Sequence, residues 1–317
     1  MPDVVIHEVG PRDGLQMEKA VVPFERKLEW IRALIEAGLD IVQVGSFVHP
    51  EKVPQLADTD RLFAELRRPG MTREGVVLSA LVLNEKGMER AFAAGVDLLC
   101  MGVSASETHS RRNTGMSTAE AAERIIAMAK HAMAAGTRVQ VSVQSAFGCG
   151  YEGPVPAERV LDLVRRYVEN GVTHVSLADT AGHAVPDQVA RMYEAVSALG
   201  AGVDCACHFH DTYGLGLANV WAAMRSGVTQ VETSVAGLGG CPFTKVAGGN
   251  VCTEDFVHLL HRMGRRRDVG LEMLIAVADD VAAFFAREMP GKVYKTGPVP
   301  AGTAATAAKA GTAGTAT

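Results

Sequence analysis

The chain has 317 residues, of which 48% are hydrophobic and 21% charged. That length fits one barrel-sized domain with a large buried core. Its net charge of −5 offers no broad basic surface for nucleic acid or a membrane. No run of about 18 apolar residues suggests a transmembrane helix. Met1 to Ile6 lack the basic region and apolar core of a signal peptide. The six cysteines are sparse, and Cys205-Ala206-Cys207 reads as strand packing, so a reducing, cytoplasmic setting is expected.

Short β-branched or apolar runs alternate with longer helical segments. Strands are predicted near 3–9, 40–46, 76–82, 97–103, 138–145, 173–178, 203–210 and 228–235. Helices are predicted between them, for example over 23–37, 117–135, 156–170, 186–199 and 213–226. Gly38, Gly95, Gly136, Gly171 and Gly227 each follow a helical run and precede a strand, where a helix C-terminus favours glycine. The alternation predicts a (β/α)8 TIM barrel. A doubly wound open sheet is disfavoured, because no GxGxxG follows the first strand. Arg265-Arg266-Arg267 reads as a solvated helix end. The segment 271–287 is an additional C-terminal helix that caps the barrel or joins a homodimer interface. Residues 1–297 then form one barrel domain, and 298–317 form a low-complexity Ala/Thr/Gly tail expected to be disordered.

A barrel places its chemistry at the C-terminal ends of strands and in the loops that follow. The first strand ends in Glu8-Val9-Gly10-Pro11-Arg12-Asp13-Gly14. Arg12 and Asp13 there suit either a surface turn with an ion pair or a site. The seventh strand carries His208-Phe209-His210-Asp211. Side chains two apart on a strand share a side, so both imidazoles can converge at the mouth. With Asp13 and Asn250 they make a carboxylate, imidazole and amide-oxygen set. Such a set suits octahedral Mg²⁺ or Mn²⁺ better than structural zinc. Gly237-Leu238-Gly239-Gly240-Cys241-Pro242 reads as a tight turn or as a mobile loop that carries a thiol to substrate.

These stretches resemble the 3-hydroxy-3-methylglutaryl-CoA lyase family, within a wider group of metal-dependent barrel lyases and synthases. The resemblance also rests on Ser46-Phe47-Val48, Val53-Pro54-Gln55, Phe147-Gly148-Cys149 and Tyr151-Glu152-Gly153. It continues through Asp179-Thr180, Ser234 to Pro242, Gly249-Asn250 and Thr253-Glu254-Asp255. It runs in consistent order over roughly residues 4–290. It implies Asp13, His208, His210 and Asn250 as ligands of a divalent metal, and an acyl-CoA as substrate. Arg12 matches the arginine that neutralises the thioester enolate, and Cys241 the loop cysteine. Asp179 and Glu254 match acidic site residues, and Lys19 a lysine near the mouth.

The implied reaction breaks the C2–C3 bond of a 3-hydroxyacyl-CoA. A metal chelating the hydroxyl acidifies it, a fixed guanidinium stabilises the enolate, and a thiol protonates its carbon to give acetyl-CoA. Asp13, His208 and a water on the metal are all candidates for the base. Two positions depart from the family pattern. Gln43 stands where the family usually has glutamate, and an amide cannot act as a base. In the fifth strand, Ser142 replaces an aromatic residue and Gln144 a small one, which predicts a larger, amide-rich acyl pocket. The substrate alternatives are therefore 3-hydroxy-3-methylglutaryl-CoA, citramalyl-CoA, or a longer 3-substituted glutaryl-CoA such as the 3-isohexenyl one. A Claisen-type synthase or aldolase of the same group is disfavoured by the loop from Gly237 to Pro242. An inert metal-binding barrel is disfavoured by intact Arg12, Asp13 and Cys241.

Overall fold

A computed structural model describes residues 3–200, 202–240 and 248–300. Eight parallel strands close on themselves in sequence order: β1 (Val5–Glu8), β2 (Ile41–Ser46), β3 (Val77–Leu81), β4 (Leu98–Ser104), β5 (Arg138–Gln144), β6 (His174–Asp179), β7 (Asp204–Phe209) and β8 (Gln230–Thr233). Closure is made by β1 on β8, with Val5 opposite Gln230 and Glu8 opposite Thr233. The predicted TIM barrel is therefore the observed fold. Among the described residues, no helix is long and apolar enough to cross a membrane.

The helices are α1 (Phe24–Glu36), α2 (Thr59–Leu66), α3 (Glu85–Ala93), α4 (Glu107–Thr114), α5 (Thr118–Ala134), α6 (Ala157–Glu169), α7 (Pro186–Ser197), α8 (Gly216–Arg225), α9 (Thr253–Arg262), α10 (Leu271–Phe285) and α11 (Val293–Thr296). Local chemistry sets their ends. Ser117 and Glu120 form a capping box at α5, which satisfies two backbone donors that a helix start leaves open. Asn84 accepts from Gly87 N at 2.8 Å to start α3. The predicted additional helix is α10, and it packs against α1. Trp30 Nε1 donates to Asp280 at 2.6 Å, and Trp30 meets Phe284 edge-on at 5.7 Å.

Strand alternation divides the core in two. Val139, Val141 and Val143 of β5 join the large apolar layer under the helices, while Gln140, Ser142 and Gln144 line the barrel's inner cavity. A small separate apolar cluster of Ile41, Leu98 and Cys100, with Val5 and Val77 against it, lies inside. Above it the interior is polar: His7, Ser79, Gln140, Ser176 and Glu232 are all buried. Barrel interiors are usually filled by branched apolar residues. A polar one is stable only if its groups find partners.

The basic run departs from its expected role. Arg265 pairs with Asp3, but Arg266 is buried, with its side chain 3% exposed. Its guanidinium donates to Val4 O and Asp40 at 2.6 Å and to Asp268 at 3.0 Å. Asp40 also accepts from Ile6 N at 2.8 Å. Arg266 thus ties the start of β1 to the α1–β2 turn. Tertiary partners, invisible in a run of three like charges, decide its burial. Removing it strands a partly buried carboxylate, which costs roughly 3 kcal/mol. Arg266→Met should therefore unfold at clearly lower urea than wild type, and an unchanged midpoint would contradict this role.

Candidate active site

The chain leaves β1 through a π-helical turn, Gly10–Gly14, which brings Arg12 and Asp13 over the barrel mouth. Arg12 Nη1 lies 2.5 Å from Asp13 Oδ1, and its Nε donates to Gln43 Oε1. The second Asp13 oxygen accepts from Asn250 Nδ2 at 2.8 Å and lies 3.9 Å from His208 Nε2. Burial alone would raise the Asp13 carboxyl, but Arg12 and the two histidines outweigh it and hold the group well below the usual carboxylate range.

His208 and His210 share the inner side of the β7 end, with ring centroids 5.2 Å apart. One donor atom from each of Asp13, His208 and His210 lies within 4.8 Å of the others. Asn250 joins them through a backbone bridge with His210. At this point the buried Asn250 Oδ1 has no hydrogen-bond partner. An unpaired buried polar atom is costly, so that oxygen, the carboxylate and the imidazoles together fit a hard divalent cation. Burial and the neighbouring His208 lower His210 to about 4, which keeps it neutral, as a ligand must be. His208 behaves oppositely. Burial would lower it, but Glu232, at 2.9 Å from Nδ1, raises it above the ordinary histidine value.

The cavity is about 260 Å³, and its wall includes Arg12, Asp13, Gln43, Ser142, Gln144, His208 and His210. A Cβ at position 102 would strike the hydroxyl of Ser142 and come within 3.0 Å of Gln144 Nε2, so Gly102 leaves both side chains their room. Leu81, Leu83 and Met101 form an apolar side to the same cavity.

The loop after β8 enters the mouth, with Gly240 in the cavity wall. Cys241 lies outside the described residues, as does the tail beyond residue 300. The base of this loop is pinned from behind. Glu8 Oε1 accepts from Gly10 N at 2.7 Å and Val235 N at 2.9 Å. Glu254 Oε2 accepts from Ala236 N at 3.1 Å, and Ala236 is left-handed at φ 59°. Gly249 has no side chain because its Cβ would collide with Gly237 O. That close approach delivers Asn250 to Asp13 and the two histidines.

Three expected site residues do not line this cavity. Asp179 is fully buried and accepts from His183 N at 2.8 Å and Ala184 N at 3.0 Å. It braces the loop after β6, and only its neighbours Ala178 and Thr180 line the cavity. Glu254 sits behind the 235–237 turn, away from the wall. Lys19 is exposed and outside the lining. The sequence reading did not pick out Glu232, Gln140 or Glu8. The polar residues two apart in Gln230-Val231-Glu232 were the available signal for an inward-facing carboxylate.

A closed parallel barrel with a guanidinium, a carboxylate and two imidazoles around its C-terminal mouth is an enzyme of metal-site architecture. The chain belongs to the HMGL-like family, which it matches over residues 3–281, and it is a carbon–carbon lyase. The hydroxymethylglutaryl-CoA lyase YngG of Bacillus subtilis is 39% identical over 91% of this chain and 95% of its own length. The (R)-citramalyl-CoA lyase of Chloroflexus aurantiacus is 36% identical over 94% and 96%. A solved HMG-CoA lyase of Acinetobacter baumannii, in complex with coenzyme A and 3-methylmalate, superposes with TM-score 0.86 at 35% identity, covering 94% of this chain and 98% of that one.

The braced loop has a pH signature. Burial pushes Glu254 up from 4.5 to about 8. Between those values the folded chain keeps a proton that the unfolded chain has released, so this group's contribution makes stability fall as pH rises through the window. Urea denaturation from about pH 5 to 8 should show a shallower decline for Glu254→Gln than for wild type; equal slopes would contradict the buried, protonated state.

Proposed function

We propose that this lyase cleaves the C2–C3 bond of a 3-hydroxyacyl-CoA to acetyl-CoA and a keto acid, with 3-hydroxy-3-methylglutaryl-CoA giving acetoacetate. The observation that carries the reading is the convergence of Arg12, His208, His210 and Asn250 on Asp13 at the barrel mouth. Asp13, His208, His210 and Asn250 would hold Mg²⁺ or Mn²⁺. The bound cation would acidify the substrate's 3-hydroxyl. We assign residues 1–297 to the catalytic domain and 298–317 to a tail.

The residues divide the work by position. Arg12 is fixed at two points, by Gln43 and Asp13, so its free N–H edge can meet the thioester oxygen without reorganising. Loss of the hydroxyl proton to a base at the mouth turns that oxygen into the keto acid's carbonyl and sends the C2–C3 electrons into the thioester enolate. Cys241, the next residue after Gly240 in sequence, then gives its thiol proton to C2. The thiolate is reprotonated as product leaves.

The acyl group is set by Gln43, Ser142 and Gln144. A neutral amide at Gln43 accepts from Arg12 without cancelling its charge. Ser142 and Gln144, over side-chain-free Gly102, leave polar room beside the reacting carbon. That room supports citramalyl-CoA, or a longer 3-substituted glutaryl-CoA, as a second reading. Wild type, Gln43→Glu and Ser142→Tyr should be compared on all three substrates with Mg²⁺. The variants should shift kcat/KM ratios by roughly tenfold, with Ser142→Tyr disfavouring the bulkier 3-substituents. Constant ratios would remove these positions from substrate selection, and no acetyl-CoA release from any substrate would overturn the lyase reading itself.

Arg12→Lys keeps a charge but loses the planar fork that grips Gln43 and Asp13 together. Turnover should fall by about 10²-fold or more, the scale of losing one oxyanion donor, while metal still binds. Near-wild-type turnover would exclude a dedicated enolate contact.

A further inference from the structure

Below the mouth, a chain of buried hydrogen bonds crosses the barrel interior. His174 Nε2 lies 3.1 Å from Gln230 Oε1. Gln230 Nε2 donates to Gln140 Oε1 at 3.4 Å, and Gln140 Nε2 donates to Glu232 Oε1 at 2.6 Å. The other Glu232 oxygen meets His208 Nδ1 at 2.9 Å. The chain has a direction. Each glutamine accepts on one side and donates on the other, and all of this donation ends on Glu232. An ionised carboxylate only accepts, so His208 must present a hydrogen on Nδ1. The nitrogen left to face Asp13 is Nε2, at 3.9 Å from Oδ2.

We propose that Glu232, itself held by Gln140, is a positioning residue that locks His208 in the Nδ1–H tautomer with Nε2 aimed at the metal site. The inference rests on the metal reading above. It makes the two histidines unequal. His208 is oriented before any cation arrives, whereas His210 has a buried Nδ1 with no partner. A ligand imidazole whose second nitrogen is fixed by a carboxylate loses less freedom on binding and is a better donor. The polar interior then has a purpose beyond filling space, since Gln140 prevents the carboxylate from rotating away from His208.

Glu232→Gln tests this, because one corner of the new amide becomes a donor. That NH₂ must face either the donor of Gln140 or the donor of His208. The full-length apoenzyme would be titrated with Mn²⁺, reading free ion by electron paramagnetic resonance. The His208 tautomer would be read from long-range ¹⁵N–¹H spectra of histidine-labelled protein. Wild type should bind Mn²⁺ with His208 in one tautomer. Glu232→Gln should bind about 10- to 100-fold more weakly and lose the single tautomer. Adding Gln140→Glu restores an acceptor opposite the new donor and should recover the tautomer and part of the affinity, a rescue that a merely structural role would not give.

Unchanged affinity and tautomer in Glu232→Gln would overturn the proposal, as would a double variant no better than the single one. Should Glu232→Gln not fold, Gln140→Met leaves the carboxylate in place and removes its support; several-fold weaker Mn²⁺ binding is expected, and wild-type affinity with an unchanged tautomer would overturn the proposal. Wild type that binds no Mn²⁺ would instead overturn the metal reading on which the inference stands.

Discussion

Asp13 is a nearly buried carboxylate that stays ionised, and the organisation of the mouth follows from that. Burial opposes the charge, so cationic and donor groups must surround it: Arg12 on one oxygen, Asn250 on the other, and His208 close by. These groups come from the turn after β1, the end of β7 and the segment after the β8 loop. A closed barrel brings those three segments together because β1 pairs with β8 and β7 is the next strand round. Charge satisfaction and chain closure are thus one constraint at this site.

A second tier of buried carboxylates holds the first in place without facing the cavity. Glu8 joins the turn carrying Arg12 and Asp13 to the start of the loop after β8. Glu254 caps the left-handed Ala236 in that same loop, and Asp179 shapes the loop after β6. These groups accept backbone N–H bonds, and burial raises all three, to about 7, 8 and 6. Acidic residues at the ends of barrel strands therefore divide by what surrounds them. Those met by cations stay charged and line the site, while those met by backbone amides brace the loops.

That division explains what the sequence could reveal. The barrel was legible because helical runs ending at Gly38, Gly95, Gly136, Gly171 and Gly227 alternate with short strand-like runs, and all five glycines have positive φ. His208 and His210 were legible from their spacing of two on a strand. Asp179 and Glu254 were legible as acidic residues near strand ends, but not as groups behind the wall, because facing depends on which loop packs over them. Glu232 looked like an ordinary polar residue of an alternating strand, and only the inward face of the closed barrel sets it against His208. The strands were predicted one or two residues too long at several C-terminal ends. Ser145 turns out of β5 at φ 55°, and His210 leaves the ladder to bridge Asn250.

Asp13, His208, His210 and Asn250 form the site proposed for one hard cation. Pulsed electron paramagnetic resonance on the Mn²⁺-loaded protein tests it most directly, because directly bound imidazole nitrogens modulate the electron echo. One tightly bound Mn²⁺ per chain, coupled to two imidazole nitrogens, is expected, with one coupled nitrogen left in His210→Ala. Bound Mn²⁺ without nitrogen coupling, or coupling unchanged in His210→Ala, would contradict it.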